Sequence, residues 1–333
     1  MDFSKVNYNN LIISILILFA AGYVYDKFKL NISTSDKVYE LNIIKKYLLN
    51  EHNDFTLEQL SSIKKPILWI PIDYEKNSRK WESFGTRNSN ELNQDYLYLT
   101  LRSIINKNSD YFHIILIDDD SYKLLLDNWS IDLNKISDPQ KTYFRKLALA
   151  KVLYKFGGIL MEPSFVMFKS LENIYNNILK TKKISVCEFP NKSSNSQSIN
   201  TMPSMNFIGC IKECPKMHEF VNHLEILFSK DYTNEINIED LINKWLFYNT
   251  QNKEIEYIDG KYLGIRDSNN KLIELDRLLG SSFLELNNNS YGLYIPKDDL
   301  LKRNAYSWFV YLNSMEVLES NTNIGKYLLI SNN

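Results

Sequence analysis

The sequence predicts an α/β protein with a mixed, mostly parallel sheet flanked by helices, and three observations predict it. Short apolar runs end abruptly in Pro or Asp: ILWIPID begins at residue 67 and FHIILIDDD at residue 112. Such runs read as strands buried on both faces. Between them, Leu97, Leu101, Ile104 and Ile105 recur at helical spacing. Strand, helix, strand, helix in this order is the pattern of a parallel α/β sheet.

The elements follow in order. Ile67 to Ile72 is the first strand, and Gln94 to Ile105 the helix after it. Phe112 to Ile117 is the second strand, and a helix carrying Tyr122, Leu125 and Leu126 follows. Phe144 to Phe156 is apolar around almost its whole circumference, so it reads as a deeply buried helix. Gly157-Gly158 stops it, because a left-handed cap favours a residue without Cβ. Ile159 to Met161 then starts a strand that Pro163 interrupts. Lys183 to Phe189 and residues 206–211 are further strands, Met217 to Phe228 an amphipathic helix, and the last hundred residues a mixture. No internal repeat and no linker after residue 65 is visible, so residues 66–333 read as one α/β domain.

Composition bounds the function. Lys+Arg is 39 and Asp+Glu is 40, a net charge of −1, which excludes a general polyanion binder. No nucleic-acid partner is expected. Three cysteines (Cys187, Cys210, Cys214) do not make a disulfide framework. The Cys210-x3-Cys214 pair with His218 is half of a metal site, against which stands the ordinary reading of buried thiols.

Residues 1–30 are expected to be an N-terminal membrane anchor and residues 31–65 a helical stem. Leu11 to Tyr25 carries no charge. At 1.5 Å per residue it spans about 22 Å, short of the roughly 30 Å of a hydrocarbon core, so flanking residues must extend it into the bilayer. A cleaved signal peptide (Ala20-Ala21-Gly22 offers small residues) and a buried or surface helix are the alternatives. Lys27, Lys29 and Lys37 follow the segment, which by the positive-inside rule points to a cytosolic main domain. Sequons at Asn31, Asn128, Asn191 and Asn288 point the other way.

Tyr154-Lys155-Phe156-Gly157-Gly158-Ile159 resembles the L-Y-K-Y-G-G-I core of nucleotide-sugar glycosyltransferases with the GT-A fold, of the capsular-polysaccharide-synthesis type. The first strand, the strand ending in Asp118-Asp119, and Ile295-Pro296-Lys297 with Lys302-Arg303, Tyr306, Trp308 and Phe309 stand in similar order. The resemblance covers roughly residues 66 to 325. The chain also resembles uncharacterised anchored proteins of large DNA viruses.

The resemblance implies a GT-A-like sheet, a nucleotide-sugar donor, a glycan or other acceptor, and Mg²⁺ or Mn²⁺ held by an Asp-x-Asp pair to neutralise charge growing on the leaving diphosphate. The family pattern is (A/S)-D-x-x-R followed by G-G-x-x-x-D-x-D. This chain has Lys146 and Leu149 at the first two charged positions, and Glu162 and Ser164 at the last two. One carboxylate of four charged groups survives, so a degenerate donor site on a retained fold, serving as a scaffold or a virion or membrane structural protein, stands beside the enzyme reading.

Candidate catalytic residues are therefore Glu162, Asp118 and Asp120, with Glu162 and Asp120 as metal ligands. Asp118-x-Asp120 is an acidic pair at a strand end, and the competing reading is a turn with a helix cap. Arg79, Arg87, Lys146, Gly157 and Gly158 are candidates to contact the nucleotide, the cations by holding diphosphate. Glu188, Asp298 and Asp299 are candidate general bases.

Overall fold

The computed structural model describes residues 42, 46–49, 64–72, 94–192, 199–230, 238–302 and 304–332. The chain divides between Lys45 and Lys46, and the elements described below belong to Lys46–Asn333. The expected anchor, nearly all of the stem, Arg79 and Arg87 lie outside the described residues. Among the described residues no helix is long and apolar enough to cross a membrane.

In chain order the elements are β1 (Ile67–Pro71), α1 (Tyr96–Asn108), β2 (His113–Ile117), α2 (Ser121–Leu125), α3 (Gln140–Phe156), β3 (Gly158–Met161), β4 (Phe165–Met167), α4 (Glu172–Thr181), β5 (Ser185–Pro190) and β6 (Thr201–Cys210). Then come α5 (Pro215–Ser229), α6 (Ile238–Gln251), β7 (Glu256–Ile258), α7 (Leu275–Leu279), β8 (Gly292–Tyr294), α8 (Lys297–Lys302), α9 (Ser307–Val310), α10 (Ser314–Glu319) and α11 (Asn323–Asn332).

Six strands form the central sheet in the order β2-β1-β3-β6-β5-β7. All run the same way except β6, which is antiparallel to both β3 and β5. The sheet is thus mixed and mostly parallel, as expected. The antiparallel strand and its start at Thr201, five residues before the expected one, are not marked by any apolar run. Its first half (TMPSM) is buried through pairing with β5 across a bulge at Cys187 rather than through hydrophobic side chains alone.

Alternation along the strands divides the core. Trp69, Ile115, Ile117, Leu160, Val186 and Ile208 join the apolar cluster that also takes Leu147, Leu153, Phe220, Leu224 and Leu246 from α3, α5 and α6. Leu68, Ile70, Ile114, Leu116, Ile159 and Phe207 are equally buried and, by the two-residue period, face the other side. There α4 brings Ile178 Cδ1 to 2.8 Å from where a Cβ on Gly209 would stand.

Pro163 ends the run of β3, but the chain resumes as β4, which pairs with β8 in a separate two-stranded sheet. Phe165 on β4 meets Phe189, Phe207 and Tyr294 at centroid distances of 6.1, 6.3 and 5.1 Å. This aromatic knot ties the small sheet to the large one. It lay unread in the sequence because its partners are up to 129 residues apart (294 minus 165).

The α3–β3 junction fixes the centre of the sheet. Gly157 has φ +70° and Gly158 φ +104°, and a Cβ on Gly158 would stand 2.2 Å from the Ile67 carbonyl oxygen. The buried Trp69 indole donates to the Gly157 carbonyl at 2.8 Å. Strain at such φ and a clash with backbone that cannot yield both oppose a side chain here. Gly158→Ala is expected to destabilise the fold by roughly 3 kcal/mol or more, read as a lowered urea midpoint with an unchanged slope.

Candidate functional site

Parallel strands that share a direction bring their carboxyl ends to one edge, where open α/β sheets place their ligand sites. Here that edge carries a cleft of about 360 Å³, lined by Pro71 at the end of β1, Glu162 after β3 and Pro190 at the end of β5. Helix α3 supplies Arg145, Lys146 and Leu149, α6 supplies Glu239, and the start of α8 supplies Lys297 and Asp298. Lys192 and Asn206 complete the wall beside β6.

Glu162 sits at the inner end. Its N–H donates to the Asn206 carbonyl at 3.1 Å, and the Tyr294 hydroxyl is 3.5 Å from its Oε2. Desolvation pushes its carboxyl up to about 7. Lys297, Lys146 and Lys192 pull the other way, and Asp298 adds to the rise. Nearby, the hydroxyl of Tyr96 is buried without a hydrogen-bond partner, and its own pKa is raised by burial first and then by Asp298 and Glu162. The inner end of the cleft is therefore a poorly solvated pocket holding one carboxyl that changes charge near neutrality.

The cations are partnered. Arg145 grips Asp119 with two parallel hydrogen bonds, Nε to Oδ1 at 2.6 Å and Nη2 to Oδ2 at 2.7 Å, and Lys141 adds 3.1 Å to the same carboxylate. Lys146 on α3 is paired with Glu239 on α6. Lys192 reaches Asp299 at 2.9 Å. The cleft is thus lined by basic side chains whose charges are balanced by carboxylates alongside them.

The expected site residues fall into distinct places. Glu162 and Lys146 meet in the cleft. Asp118 closes the turn after β2: its Oδ1 accepts from the Ser121 N–H at 3.0 Å and the Ser121 hydroxyl at 2.7 Å. Asp120 is exposed at the start of α2. Neither lines the cleft. Between them, Asp119 does the electrostatic work, holding Arg145. Gly157 and Gly158 pack against backbone of Lys212 and Ile67.

Of the candidate bases, Asp298 lines the cleft and Asp299 holds Lys192. Glu188 is not available as a base. Burial raises its pKa, but the Arg266 guanidinium, the Thr201 hydroxyl and the Gly260 N–H outweigh this and hold it below the usual carboxylate range. Arg266 donates from Nε at 2.8 Å and from Nη2 at 3.1 Å, and Gly260 N–H at 2.8 Å.

Arg145 and Lys297 were the residues missed. Arg145 stands one helical turn before Leu149, the position where the resemblance expects an arginine, and a turn is a small displacement along a cleft wall. Lys297 lay within the quoted Ile295-Pro296-Lys297 similarity without a role assigned to it.

The donor set does not fit the expected Mg²⁺ or Mn²⁺ site. Ser164, at the second position of the pair, is fully buried with its hydroxyl unpartnered, and it does not line the cleft. Among the described residues no group of three or more His, Cys, Asp and Glu could hold a metal ion. The half-site at Cys210, Cys214 and His218 likewise consists of two buried thiols that form no such group among the described residues.

No protein-family model and no curated protein matches the sequence. Among solved structures the chain is similar to the glycosyltransferase GlyE of Streptococcus pneumoniae TIGR4, at 11% identity and a TM-score of 0.35. That match covers 60% of this chain and 46% of GlyE, so the chain spans about half of that protein. It is similar to the PaToxG glycosyltransferase at 16% identity and TM-score 0.31, covering 64% of this chain and 81% of that one. The galactosyltransferase LgtC, solved with donor and acceptor sugar analogues, gives 9% identity and TM-score 0.30, covering 59% and 74%.

Glu162 generates a pH signature. Its folded-state pKa of about 7 lies above its ordinary 4.5, so the folded chain binds the extra proton between these values. The stability it contributes is present below pH 4.5 and is lost as pH rises to 7. The expected difference between the wild-type protein and Glu162→Gln is on the order of 2–3 kcal/mol in favour of the variant at pH 8. That difference should shrink toward pH 4.5 in parallel urea titrations.

Proposed function

We propose that the chain is a glycosyltransferase-like protein whose cleft binds a nucleotide sugar, of the type its Gly157-Gly158 motif resembles, and transfers the sugar to a glycan or other hydroxyl acceptor. The observation that carries this reading is the position of Glu162: one carboxyl poised near neutrality, at the carboxyl edge of the sheet, among Arg145, Lys146, Lys192 and Lys297. Cationic side chains can hold a diphosphate bidentately or as point charges and stabilise the charge left on it when the sugar departs. A carboxyl with a pKa of about 7 is matched to accept a proton from an attacking hydroxyl. No step is assigned to a metal, because the described residues do not supply its ligands.

On this reading the anion displaces Glu239 from Lys146 and Asp119 from part of the Arg145 fork, so binding weakens steeply with salt. Calorimetry with uridine and guanosine diphosphate sugars tests it. Lys297→Ala is expected to weaken binding about tenfold, or about 1.4 kcal/mol. Glu162→Gln is expected to leave binding within about threefold while abolishing any transfer. Failure to bind any of these donors at low salt would overturn the proposal.

One observation favours a second reading, a fold kept as a scaffold without transfer. Of the four charged groups in the resemblance's motif only the carboxylate at Glu162 remains, and Lys146, which replaces an aspartate, is already paired with Glu239 within the protein. The same titration separates the two, since a scaffold shows no saturable donor binding.

We also propose that residues 11–25 anchor the chain to a lipid bilayer as a single span. The uncharged run supports this. The full chain is expected in the membrane fraction after alkaline carbonate extraction, and a chain starting at residue 31 in the supernatant; a full chain extracted by carbonate would refute it.

A further inference from the structure

A second concavity lies at the opposite end of β5 from the cleft. It has a volume of about 640 Å³ and runs between α4, β7 and the turn before β8. Ser185 opens β5 there, and Pro190 closes the strand at the cleft, so the two places are about 17 Å apart at 3.3 Å per residue.

Three features of this groove converge on one ligand chemistry. The first is a buried polar atom with nothing to bond. Ser185 lines the groove, is 1% exposed, and its hydroxyl has no hydrogen-bond partner. Buried polar groups are rarely left this way, and a ligand hydroxyl, able to donate and accept, would satisfy it.

The second is the lining. Tyr262 and Tyr291, both half-buried, bring aromatic side chains to the groove, while Tyr257 borders it with its hydroxyl already bonded to Glu188. Their phenol rings combine apolar faces with polar edges, a surface suited to a ligand that is apolar on one side and hydroxylated around its rim. Asn173 and Asn177 project from the exposed side of α4, and Asn289 faces them from the turn before β8. Amides offer donors and an acceptor in one group, the complement of neighbouring ring hydroxyls.

The third is charge. Lys169 donates to the Asn288 carbonyl at 2.7 Å, and Asp259 is held by Lys261 at 3.0 Å. Glu172 at the start of α4 adds a negative charge. The groove therefore has no basic excess, unlike the cleft, and does not suit a phosphate or another anion.

We propose that this groove is a binding site for a neutral oligosaccharide, separate from the nucleotide-sugar cleft. Nothing in it depends on transfer occurring at the cleft. A saccharide lies with ring faces on the tyrosines, hydroxyls on the asparagine amides, and one hydroxyl inward to Ser185.

The test uses the full chain in detergent, with maltohexaose, cellohexaose and mannohexaose as probes, followed by calorimetry and saturation-transfer NMR. At least one probe is expected to bind with a dissociation constant of about 1 mM or tighter. Tyr291→Ala and Asn177→Ala should each weaken that binding at least tenfold. Ser185→Ala should weaken it while keeping or raising the unfolding midpoint, because it removes an unpaired buried hydroxyl. Lys146→Ala should leave it unchanged. Absence of binding by all three probes overturns the proposal, as does binding that survives all three groove variants or that is lost with Lys146→Ala. Donor titrations of the groove variants report on the cleft separately, so failure of either proposal leaves the other standing.

Discussion

The passage of Gly157-Gly158 against β1 is the constraint on which the remaining architecture depends. β3 enters the sheet beside β1 with its first residue pressed on the Ile67 carbonyl, and the Trp69 indole closes the gap from the other side by bonding to Gly157. Only a residue without Cβ passes at that distance with positive φ. Because β3 is four residues long, its end is set as soon as its beginning is. Glu162 therefore arrives at the carboxyl edge by counting rather than by any attraction of its own. The same junction ends α3, so Lys146 and Arg145, about three turns back on that helix, face the same cleft at a fixed height.

Electrostatics of the cleft follow a second logic, that of distributed pairing. Three of the cations on its walls are matched within the fold: Arg145 by Asp119, Lys146 by Glu239, Lys192 by Asp299. Such pairs at partly wet sites add little to stability. Their effect is to keep long side chains extended and ordered over the cleft. Among the described residues Glu162 has no comparable partner, only a tyrosine hydroxyl at 3.5 Å, and so desolvation wins and its proton is retained to near neutrality. The cleft has the unusual property that its cations are settled and its one inner acid is not.

Local signals carried most of the framework and little of the site. Strands β1 and β2, helix α3 and its glycine stop are legible because apolar run, period and cap chemistry all act within a few residues. The antiparallel direction of β6 is not, since direction depends on which strand it meets, and Thr201 to Met205 offers a strand pattern to any partner. Glu162 was legible through its spacing from Gly157. Arg145 was not, because its sequence position is a full turn away from where the motif expects a guanidinium, and Asp119 was overlooked between the two aspartates that the spacing singles out. Glu188 shows the converse error: a lone acid at a strand end reads as a free base, while its partners Arg266 and Gly260 lie more than seventy residues on.

That carboxylate has a further consequence. β7 meets the sheet through three residues of β5 only, at its edge, and Tyr257 on β7 also bonds to Glu188. The 260–266 turn is attached to the same two oxygens. Edge strand and turn are thus riveted at one point rather than zipped along a length, so they should open together as one cooperative unit, not fray residue by residue. Amide hydrogens of 256–266 would then exchange as a block, and their protection would follow the ionisation of Glu188. It is lost only as pH falls through that group's depressed pKa, so the far edge of the sheet and the tyrosine-lined groove beside it keep their shape through the range in which Glu162 changes charge.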